Sequence, residues 1–463
     1  MQKNEIVRLR AERLGADLEG VCRLNGVPVF VPGLLPGEET DVRIVKVEKR
    51  YAFGRMETPP AVPSPDRREP GCPAWPRCGG CSCRHMSYAA SLEGKRRQVA
   101  DCFQRIGGIS VEVPPVLGMD SPAGYRNKTS LPAGGTAGAP VLGFYAPRSH
   151  DVIPADACPN AMPPAAELAR RFLEWMRRHR LEPYREETHT GLIRHLVIRT
   201  SRAGESMVTV AANGSSLPHA DELAESLRAA GTVSLWLNEN TGRTNVILSE
   251  RFHLLYGRET LTDTLCGLRF ELSPASFFQV NPEQTEKLYA AALDFAALKP
   301  EETLVDVYCG AGTITLAAAP RCAAAVGIEI VPAAVENARR NAQRNGISNA
   351  SFHAGAAEVL LPRMVREGLR CDAVIVDPPR KGLEPSVIQA IAEAGPSRVI
   401  YVSCNPATLA RDAALFRDAG YVTEKVQPVD MFCWASGIET VALLSKLKSA
   451  PLSLRCDIPE QGL

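Results

Sequence analysis

The chain has 463 residues, enough for about two to four domains that each bury their own core. Its 53 Lys and Arg nearly balance 52 Asp and Glu, so the net charge of +1 excludes a uniformly basic nucleic-acid-binding protein. No signal-peptide pattern follows Met1, and no uncharged apolar run is long enough to cross a bilayer. We therefore expect a cytoplasmic protein without a membrane partner, whose clustered cysteines bind metal or take part in catalysis rather than form disulfides.

The N-terminal part of the chain shows short β-rich segments separated by turn sequences. Four strands are predicted, at residues 20–24, 27–31, 40–47 and 51–56. Evenly spaced short strands with the Gly- and Pro-rich turn at residues 32–37 favour a small barrel. The Pro-rich residues 59–65 cannot continue a sheet or a helix, so they are predicted to form a stiff linker. We therefore place an OB-like β-barrel domain at residues 1–60.

A second domain is predicted at residues 66–262. It begins with the densest cysteine cluster of the chain and continues with a basic helix at residues 89–106, which either belongs to this domain or packs on the next one. From residue 124 to about residue 257, β-rich stretches surround one helix at residues 165–178. These patterns indicate an α+β domain.

Three cysteines of the cluster, Cys72, Cys78 and Cys81, have the spacing C-x5-C-x2-C. Gly79 and Gly80 lie between them and permit a tight turn around a metal centre. Thiolate ligands suit either zinc or an iron-sulfur cluster, and both require a fourth ligand. The sequence therefore predicts a metal centre and leaves its identity open.

After about residue 263 the pattern changes to strands that alternate with helices. Apolar strand-like runs are predicted at residues 303–307, 324–328, 373–376 and 399–402. This alternation favours a doubly wound parallel sheet, so a Rossmann-like domain is predicted at residues 263–449. Residues 450–463 are predicted to be a loose tail.

The first of these strands leads through Asp306 into a turn that contains Gly310 and Gly312. Such a turn lets the backbone approach a ligand closely, and Glu329 at the end of the next strand can accept hydrogen bonds from ribose hydroxyls. Only one glycine pair is present, without the third glycine of a pyrophosphate-binding turn. The turn therefore disfavours NAD and favours a nucleoside without phosphate, such as S-adenosylmethionine.

The predicted strand at residues 373–376 ends in Asp-Pro-Pro-Arg, residues 377–380, which resembles the fourth motif of methyltransferases that act on nucleobases. Ligands of doubly wound sheets bind beyond the carboxyl ends of the strands, where this tetrapeptide lies. An Asp-Pro turn with a solvated Arg is the plainer alternative. It is weakened because the segments of Asp306 and Glu329 belong to the same predicted sheet.

Cys404 lies in Ser-Cys-Asn-Pro, just past the next predicted strand, so it is expected to face the same cleft as Asp377. Uracil C5 is too weak a nucleophile to attack a sulfonium methyl, whereas a thiolate added to C6 pushes electron density onto C5. After methyl transfer a base must remove the C5 proton, and Glu439 is the candidate. A buried structural cysteine and an exposed carboxylate are the alternative interpretations of these two residues.

Taken together, these motifs resemble the RNA uracil-5-methyltransferases, in particular the iron-sulfur group that modifies 23S ribosomal RNA. The resemblance covers residues 8–446 and includes a TRAM-like segment at residues 18–56 and Ser-Phe-Phe-Gln-Val-Asn at residues 276–281. It implies an N-terminal TRAM barrel, an iron-sulfur central α+β domain and a C-terminal class I S-adenosylmethionine-dependent methyltransferase domain. The chain departs from the family at residues 431–437, because family members often carry a Thr and a His shortly before the base.

Position by position, the resemblance implies that Cys404 is the nucleophile and Glu439 the base. Contacts to the cofactor or to the uracil are implied for Gln279, Tyr308, Gly310, Gly312, Glu329 and Asp377. The implied ligands of a 4Fe-4S cluster are Cys72, Cys78, Cys81 and Cys158. Cys158 is preferred to the nearer Cys83, the cluster is expected to be structural or to position RNA, and zinc in the same site is the alternative.

Chemistry on a base requires it to leave any stack, so the expected partner is RNA with the target uridine in a loop or single strand, which we expect to be bound by a monomer. Basic residues that could position this RNA are Lys46, Lys49, Arg50, Arg55, Lys95, Arg96, Arg97, Arg126 and Lys128. Two other functions stay open. One is an RNA N-methyltransferase acting on guanine or adenine, which needs no cysteine nucleophile, and the other is a non-catalytic iron-sulfur RNA-binding protein.

Overall fold

The computed structural model describes residues 1–447, so the predicted tail at residues 450–463 lies outside the described residues. Within this range the chain forms three large sheets and one separate hairpin. No helix in the same range is both long enough and apolar enough to cross a membrane.

The N-terminal domain is a six-stranded sheet with the strand order β1-β5-β6-β4-β3-β2. Its strands are β1 (Ile6–Arg10), β2 (Arg13–Leu14), β3 (Gly20–Leu24), β4 (Val27–Val31), β5 (Glu39–Val47) and β6 (Ala52–Met56). Alternate residues of β4 and β5, such as Val29 and Val42, form its core. The last four strands match the sequence prediction, but β1 and β2 were not predicted because their burial barely alternates.

The segment that follows the barrel is held against it and is not a free linker. The buried carboxylate of Glu38 accepts hydrogen bonds from the Ser64 backbone N–H at 2.9 Å and from the Arg67 guanidinium. Residues 72–85, which we name the cysteine loop, then run to helix α1 (Tyr88–Cys102), whose first turn is capped by Ser87. A π-helical turn, Phe103–Gly107, extends this helix.

The central domain is a mixed seven-stranded sheet of order β13-β12-β11-β10-β7-β8-β9 with two helices packed on it. Its strands are β7 (Lys128–Thr136), β8 (Ala139–Tyr145), β9 (Val152–Pro154), β10 (Ile193–Thr200), β11 (Ser206–Ala212), β12 (Thr232–Glu239) and β13 (Phe252–Gly257). The helices are α2 (Pro164–Arg178) and α3 (Ala220–Arg228). The prediction of a single helix here was wrong, because the nine residues of α3 are too few to give a clear helical period.

The C-terminal domain begins with a hairpin and continues as a seven-stranded sheet of order β18-β17-β16-β19-β20-β22-β21. Its strands are β14 (Leu261–Leu265), β15 (Leu268–Leu272), β16 (Thr303–Val307), β17 (Ala324–Glu329), β18 (Ala350–Ala354), β19 (Ala373–Val376), β20 (Arg398–Ser403), β21 (Tyr421–Val429) and β22 (Glu439–Lys446). Its helices are α4 (Pro282–Ala296), α5 (Thr313–Ala318), α6 (Pro332–Arg344), α7 (Ala357–Arg366), α8 (Pro385–Ala394) and α9 (Pro406–Asp418). The four predicted apolar strands are all present.

Two hydrophobic cores cover the two faces of this sheet. Val99 of α1 and Phe103 of the π-helical turn belong to one of them, so the basic helix of the central region packs on the C-terminal domain. The sheet is parallel from β18 to β20, but β22 runs antiparallel to both β20 and β21. The start of β22 therefore lies at the same edge as the carboxyl ends of the parallel strands.

Candidate active site

The turn between β16 and α5 has the backbone geometry of a ligand-binding turn. Gly310 and Gly312 have φ values of 54° and 81°, and Tyr308 also has a positive φ of 73°. A Cβ atom at Gly312 would lie 2.9 Å from the Phe352 ring, so only glycine fits there without a shift. The Glu329 carboxylate at the end of β17 accepts a hydrogen bond from the Gly310 N–H at 3.1 Å. Four residues predicted to bind the cofactor thus lie together.

Two carboxyl groups stand beside this turn, at the ends of the neighbouring strands β16 and β19. Burial raises the pKa of Asp306 to about 6, and burial together with Asp306 raises the pKa of Asp377 to about 7. Thr315 donates a hydrogen bond to Asp306 Oδ2 at 2.5 Å, while Oδ1 has no partner among residues 1–447. A buried oxygen of this kind is normally satisfied, so a ligand that donates hydrogen bonds suits this position.

Cys404 follows β20 and Glu439 begins β22, and the pairing of Ser403 with Thr440 brings the two side chains to one edge of the sheet. Burial raises the pKa of the Cys404 thiol, and the Glu439 and Asp377 carboxyls raise it further. The nearby Arg380 guanidinium opposes this effect and lowers the pKa of the thiol. Burial raises the pKa of Glu439 to about 8, with Asp377 adding to the shift and Arg380 reducing it.

A cavity of about 990 Å³ contains this pair. Gln279, Asp377, Cys404 and Glu439 all line it. The same cavity is lined by the four cysteines that were predicted to bind a metal, Cys72, Cys78, Cys81 and Cys158. Cysteines that precede the catalytic candidates by more than half of the chain length therefore open onto the same space.

The four cysteines lie close enough for their charges to influence one another. Polar groups also point at their sulfurs, since the Gly80 N–H and the Asn160 amide donate to Cys78 and Cys81, both at 3.4 Å. The Arg84 guanidinium favours the thiolate of Cys81, but burial has the larger effect and raises the pKa of the Cys81 thiol. Cys83, in contrast, is fully buried with its thiol against the Ala435 carbonyl, and it is not one of the residues that line the cavity.

Two residues of the site were given no role by the sequence interpretation. Arg380 had only the alternative of a solvated side chain, although its place in Asp-Pro-Pro-Arg was a signal for a role. Phe277 lies in the Ser-Phe-Phe-Gln motif, and its side chain is 79% exposed at the cavity wall. An exposed aromatic ring beside Gln279 offers a flat apolar surface to a planar ligand.

The prediction that Lys95 contacts RNA was wrong. Its side chain is completely buried and its ammonium lies 2.5 Å from the equally buried Asp430 carboxylate. The helical neighbours Arg96 and Arg97 remain at the surface, where both bind Glu93. The sequence could not distinguish these residues, because a pairing partner more than 300 positions away leaves no local pattern.

The doubly wound sheet, the glycine turn and the acidic strand ends define a methyltransferase that uses S-adenosylmethionine. Comparison with known proteins narrows this class. A family model described as tRNA (Uracil-5-)-methyltransferase matches residues 252–447, and a TRAM domain model matches residues 2–56.

Whole-chain relatives agree with these matches. An uncharacterized RNA methyltransferase of Clostridium tetani is 41% identical over 96% of this chain and 97% of its own length. Another, of Halalkalibacterium halodurans, is 44% identical over 96% of this chain and 98% of its own length. The crystal structure of Pyrococcus abyssi tRNA (uracil-54, C5)-methyltransferase in complex with S-adenosyl-L-homocysteine is 27% identical, with a TM-score of 0.77 over 94% of this chain and 99% of that chain. The chain therefore belongs to the RNA uracil-5-methyltransferase family with an N-terminal TRAM domain, and it is an S-adenosylmethionine-dependent RNA (uracil-C5-)-methyltransferase.

Proposed function

We propose that the chain methylates C5 of a loop or single-stranded uridine in 23S ribosomal RNA through a covalent adduct between Cys404 and C6. The mechanism rests on the observation that Cys404 and Glu439 line the same cavity at the same edge of the sheet. The ribosomal target is supported by the resemblance of the cysteine motif to that group of enzymes. We further propose that the protein acts as a monomer in the cytoplasm.

In the proposed reaction the Cys404 thiolate bonds to C6, and the electron pair of the C5–C6 double bond moves onto C5. S-adenosylmethionine supplies the methyl group that C5 takes up. Glu439 then accepts the C5 proton, the C5–C6 double bond re-forms, and the sulfur leaves as the thiolate. Arg380 supports the first step, since its charge lowers the pKa of the thiol.

The residues around the turn would hold the methyl donor. The proposed cofactor or base contacts are Gln279, Tyr308, Gly310, Gly312, Glu329 and Asp377. The Glu329 carboxylate suits ribose hydroxyls, because it can accept their hydrogen bonds in addition to those of the Gly310 and Val331 N–H groups. Phe277 offers its exposed ring to the flipped uracil.

The experiment that tests this mechanism separates Cys404 from Glu439 by the step at which the reaction stops. Cys404→Ala is expected to give neither methylation nor a covalent RNA complex. Glu439→Gln is expected to add and methylate but not to eliminate, so a covalent protein–RNA species accumulates on a denaturing gel. Unmutated enzyme with 5-fluorouridine RNA is expected to be trapped likewise, because fluorine cannot leave as a cation.

Normal turnover of Glu439→Gln would show that another group is the base. Absence of any adduct between unmutated enzyme and fluorinated RNA would contradict the cysteine mechanism, and methylation by Cys404→Ala would show that Cys404 is not the nucleophile. The target is tested separately, by mapping 5-methyluridine in RNA from cells with and without the gene. A missing 5-methyluridine in transfer RNA instead of 23S ribosomal RNA would overturn the proposed substrate.

We also propose that Cys72, Cys78, Cys81 and Cys158 hold a 4Fe-4S cluster that has no chemical role in methyl transfer. Four thiols with hydrogen bonds to two of their sulfurs suit such a cluster. The resemblance of the cysteine motif to the iron-sulfur group of enzymes favours this cluster over zinc in the same site.

For the cluster, we predict that anaerobically purified protein is brown and contains about four irons per chain. Cys158→Ser is expected to lose most of this iron. Cys83→Ser is the matched control and is expected to keep it, since the Cys83 thiol is buried against Ala435. One zinc per chain without iron or sulfide, or loss of iron from the Cys83 variant, would overturn the ligand assignment.

A further inference from the structure

Residues 430–438, which we name the base loop, connect β21 to β22 and directly precede Glu439. Five consecutive carbonyl groups of this loop, from Met431 to Ala435, each accept a hydrogen bond from another part of the chain. The Met431 carbonyl accepts from the Asn281 amide at 3.2 Å, and the Phe432 carbonyl accepts from the Lys95 ammonium at 3.1 Å. The Cys433 carbonyl accepts from the Tyr125 hydroxyl at 3.0 Å. The Trp434 carbonyl accepts from the backbone N–H groups of Ser82 and Cys83 at 2.9 and 3.1 Å, and the Ala435 carbonyl accepts from the Cys83 thiol at 3.9 Å. All but Asn281 come from the N-terminal part of the chain.

A buried ion pair fixes the start of the base loop. Asp430 binds the Lys95 ammonium with one carboxylate oxygen and accepts a hydrogen bond from the Tyr88 hydroxyl at 2.7 Å with the other. The Tyr88 hydroxyl in turn accepts a hydrogen bond from the Met119 backbone N–H at 3.0 Å. Lys95 and Tyr88 both belong to α1, so this helix holds the point at which the loop leaves the sheet.

The cysteine loop fixes the middle of the base loop. The Trp434 carbonyl accepts the N–H groups of Ser82 and Cys83, which directly follow the proposed cluster ligand Cys81. The Arg84 guanidinium lies 5.4 Å from the centre of the Trp434 ring. The Trp434 indole N–H is also held, by the Pro122 carbonyl at 2.6 Å.

The nucleophile is held differently. Its neighbour Asn405 bonds through its backbone N–H to the Ser403 hydroxyl at 3.1 Å and through its amide to the Arg380 carbonyl at 3.2 Å, all within the C-terminal domain. Glu439 pairs with Val429 at the point where the base loop begins and ends, so the course of this loop contributes to where the Glu439 carboxyl lies. The hydrogen bonds around Cys404 therefore come from the C-terminal domain, whereas most of those to the base loop come from the N-terminal part of the chain.

We propose that Tyr88, Lys95, Tyr125 and the cysteine loop are positioning elements for the base, and that they control proton removal from C5 without affecting thiolate addition. This inference rests on the roles proposed above for Cys404 and Glu439. It gives the cysteine loop a place in the reaction sequence. A disturbance of that loop is transmitted through the Trp434 carbonyl to the base loop and slows elimination selectively.

Two conservative variants test the proposal, because each removes a single hydroxyl. Tyr125→Phe loses the bond to the Cys433 carbonyl, and Tyr88→Phe loses the bond to Asp430. Tyr184→Phe is the matched control, since its hydroxyl bonds to His189 in the central domain at 2.9 Å. Rapid-quench experiments with unmodified RNA would measure methyl transfer and elimination separately, from total methylated RNA and from the fraction that remains covalently bound on a denaturing gel.

The expected result is methyl transfer within about twofold of the unmutated enzyme and elimination slowed about tenfold in both test variants, so that methylated adduct accumulates. The Tyr184 variant is expected to show no accumulation. Equal slowing of both steps, or no change in either, would overturn the proposal while an adduct of the unmutated enzyme with 5-fluorouridine RNA still supports the cysteine mechanism. Absence of that adduct would contradict the covalent Cys404 mechanism on which this proposal rests.

Discussion

At the scale of single residues, the charged groups around the Cys404 thiol shift its pKa in opposite directions. Burial and the nearby carboxyls of Glu439 and Asp377 raise the pKa of Cys404, while only Arg380 lowers it among the groups that shift it. A thiolate is the nucleophilic form, so this balance sets the fraction of enzyme that is ready to react at neutral pH. Arg380, the last residue of Asp-Pro-Pro-Arg, therefore also acts on the protonation of the Cys404 thiol.

We predict that Arg380→Gln raises the pKa of Cys404, because it removes the charge that favours the thiolate. The rate of adduct formation with 5-fluorouridine RNA rises as the thiol loses its proton, so its midpoint is expected to move to higher pH. At pH 7 the rate is expected to fall about three- to tenfold, which corresponds to a shift of about half a unit to one unit. Quenched time courses of adduct formation between pH 6 and pH 10 would measure the midpoint and the rate at pH 7.

The control for this prediction is Arg177→Gln on the exposed face of α2, which is expected to leave the profile unchanged. An unchanged pH midpoint in the Arg380 variant, with only a weaker affinity for RNA, would show that Arg380 binds the substrate and does not tune the thiol.

At the scale of secondary-structure elements, α1 connects the central region to the C-terminal domain. It follows the cysteine loop in sequence but packs on the C-terminal sheet, and it carries an ammonium group into the interior. Buried ion pairs contribute little net stability, yet the loss of one partner leaves an uncompensated charge. Lys95 and Asp430 should therefore tolerate joint replacement better than single replacement.

We predict that Lys95→Met destabilises the protein by about 3–5 kcal/mol, since Asp430 then remains buried without its counter-charge. The double variant Lys95→Met, Asp430→Asn is expected to recover part of this loss, because neither charge is left. Urea unfolding followed by tryptophan fluorescence would measure both, with the exposed Lys3→Met as control. Additive destabilisation in the double variant would contradict a coupled pair.

At the scale of the whole molecule, the barrel and the central domain share an outer surface. Phe30, Tyr51 and Phe53 form a cluster of rings with centroids 5.6–5.8 Å apart, and the guanidinium of Arg148 from the central domain lies 5.4 Å from the Phe53 ring. Aromatic rings beside basic residues are typical of surfaces that stack unpaired bases. This surface is therefore the place where the barrel is expected to meet RNA.

We predict that Tyr51→Ala weakens RNA binding about tenfold, because a stacking surface is lost, and leaves the rate at saturating RNA unchanged. Replacing Lys49 and Arg50 together by Gln is expected to lower the slope of log affinity against log salt by about 2. Filter binding over a range of salt concentrations would measure both effects. Unchanged affinity in all these variants would show that the barrel does not take part in binding.

Substitutions are preferable to deletion of residues 1–58 for this test. Leu18 and Leu35 of the N-terminal domain share a small core with Cys83 and Met86 of the region that follows it. Removing the barrel would expose that core and disturb the cysteine loop as well as the RNA surface. The contact also means that the barrel is part of the support for the base loop.

The sequence by itself determined the features that local physics encodes. Glycine at positions that need a positive φ marked the turn at Gly310 and Gly312, and apolar runs marked the parallel strands of the C-terminal sheet. Because the ends of parallel strands meet at one edge, Asp377 and Cys404 could also be placed together from the sequence.

Only the tertiary structure decided what depends on distant segments. The antiparallel insertion of β22 brings Glu439 to the edge that holds Cys404, and the four cysteines open onto the same cavity. The burial of Lys95 against Asp430, and with it the support of the base loop, belongs here as well. Hydrophobic periodicity and turn propensity describe neighbours along the chain, whereas these contacts join residues hundreds of positions apart and form only when the domains pack.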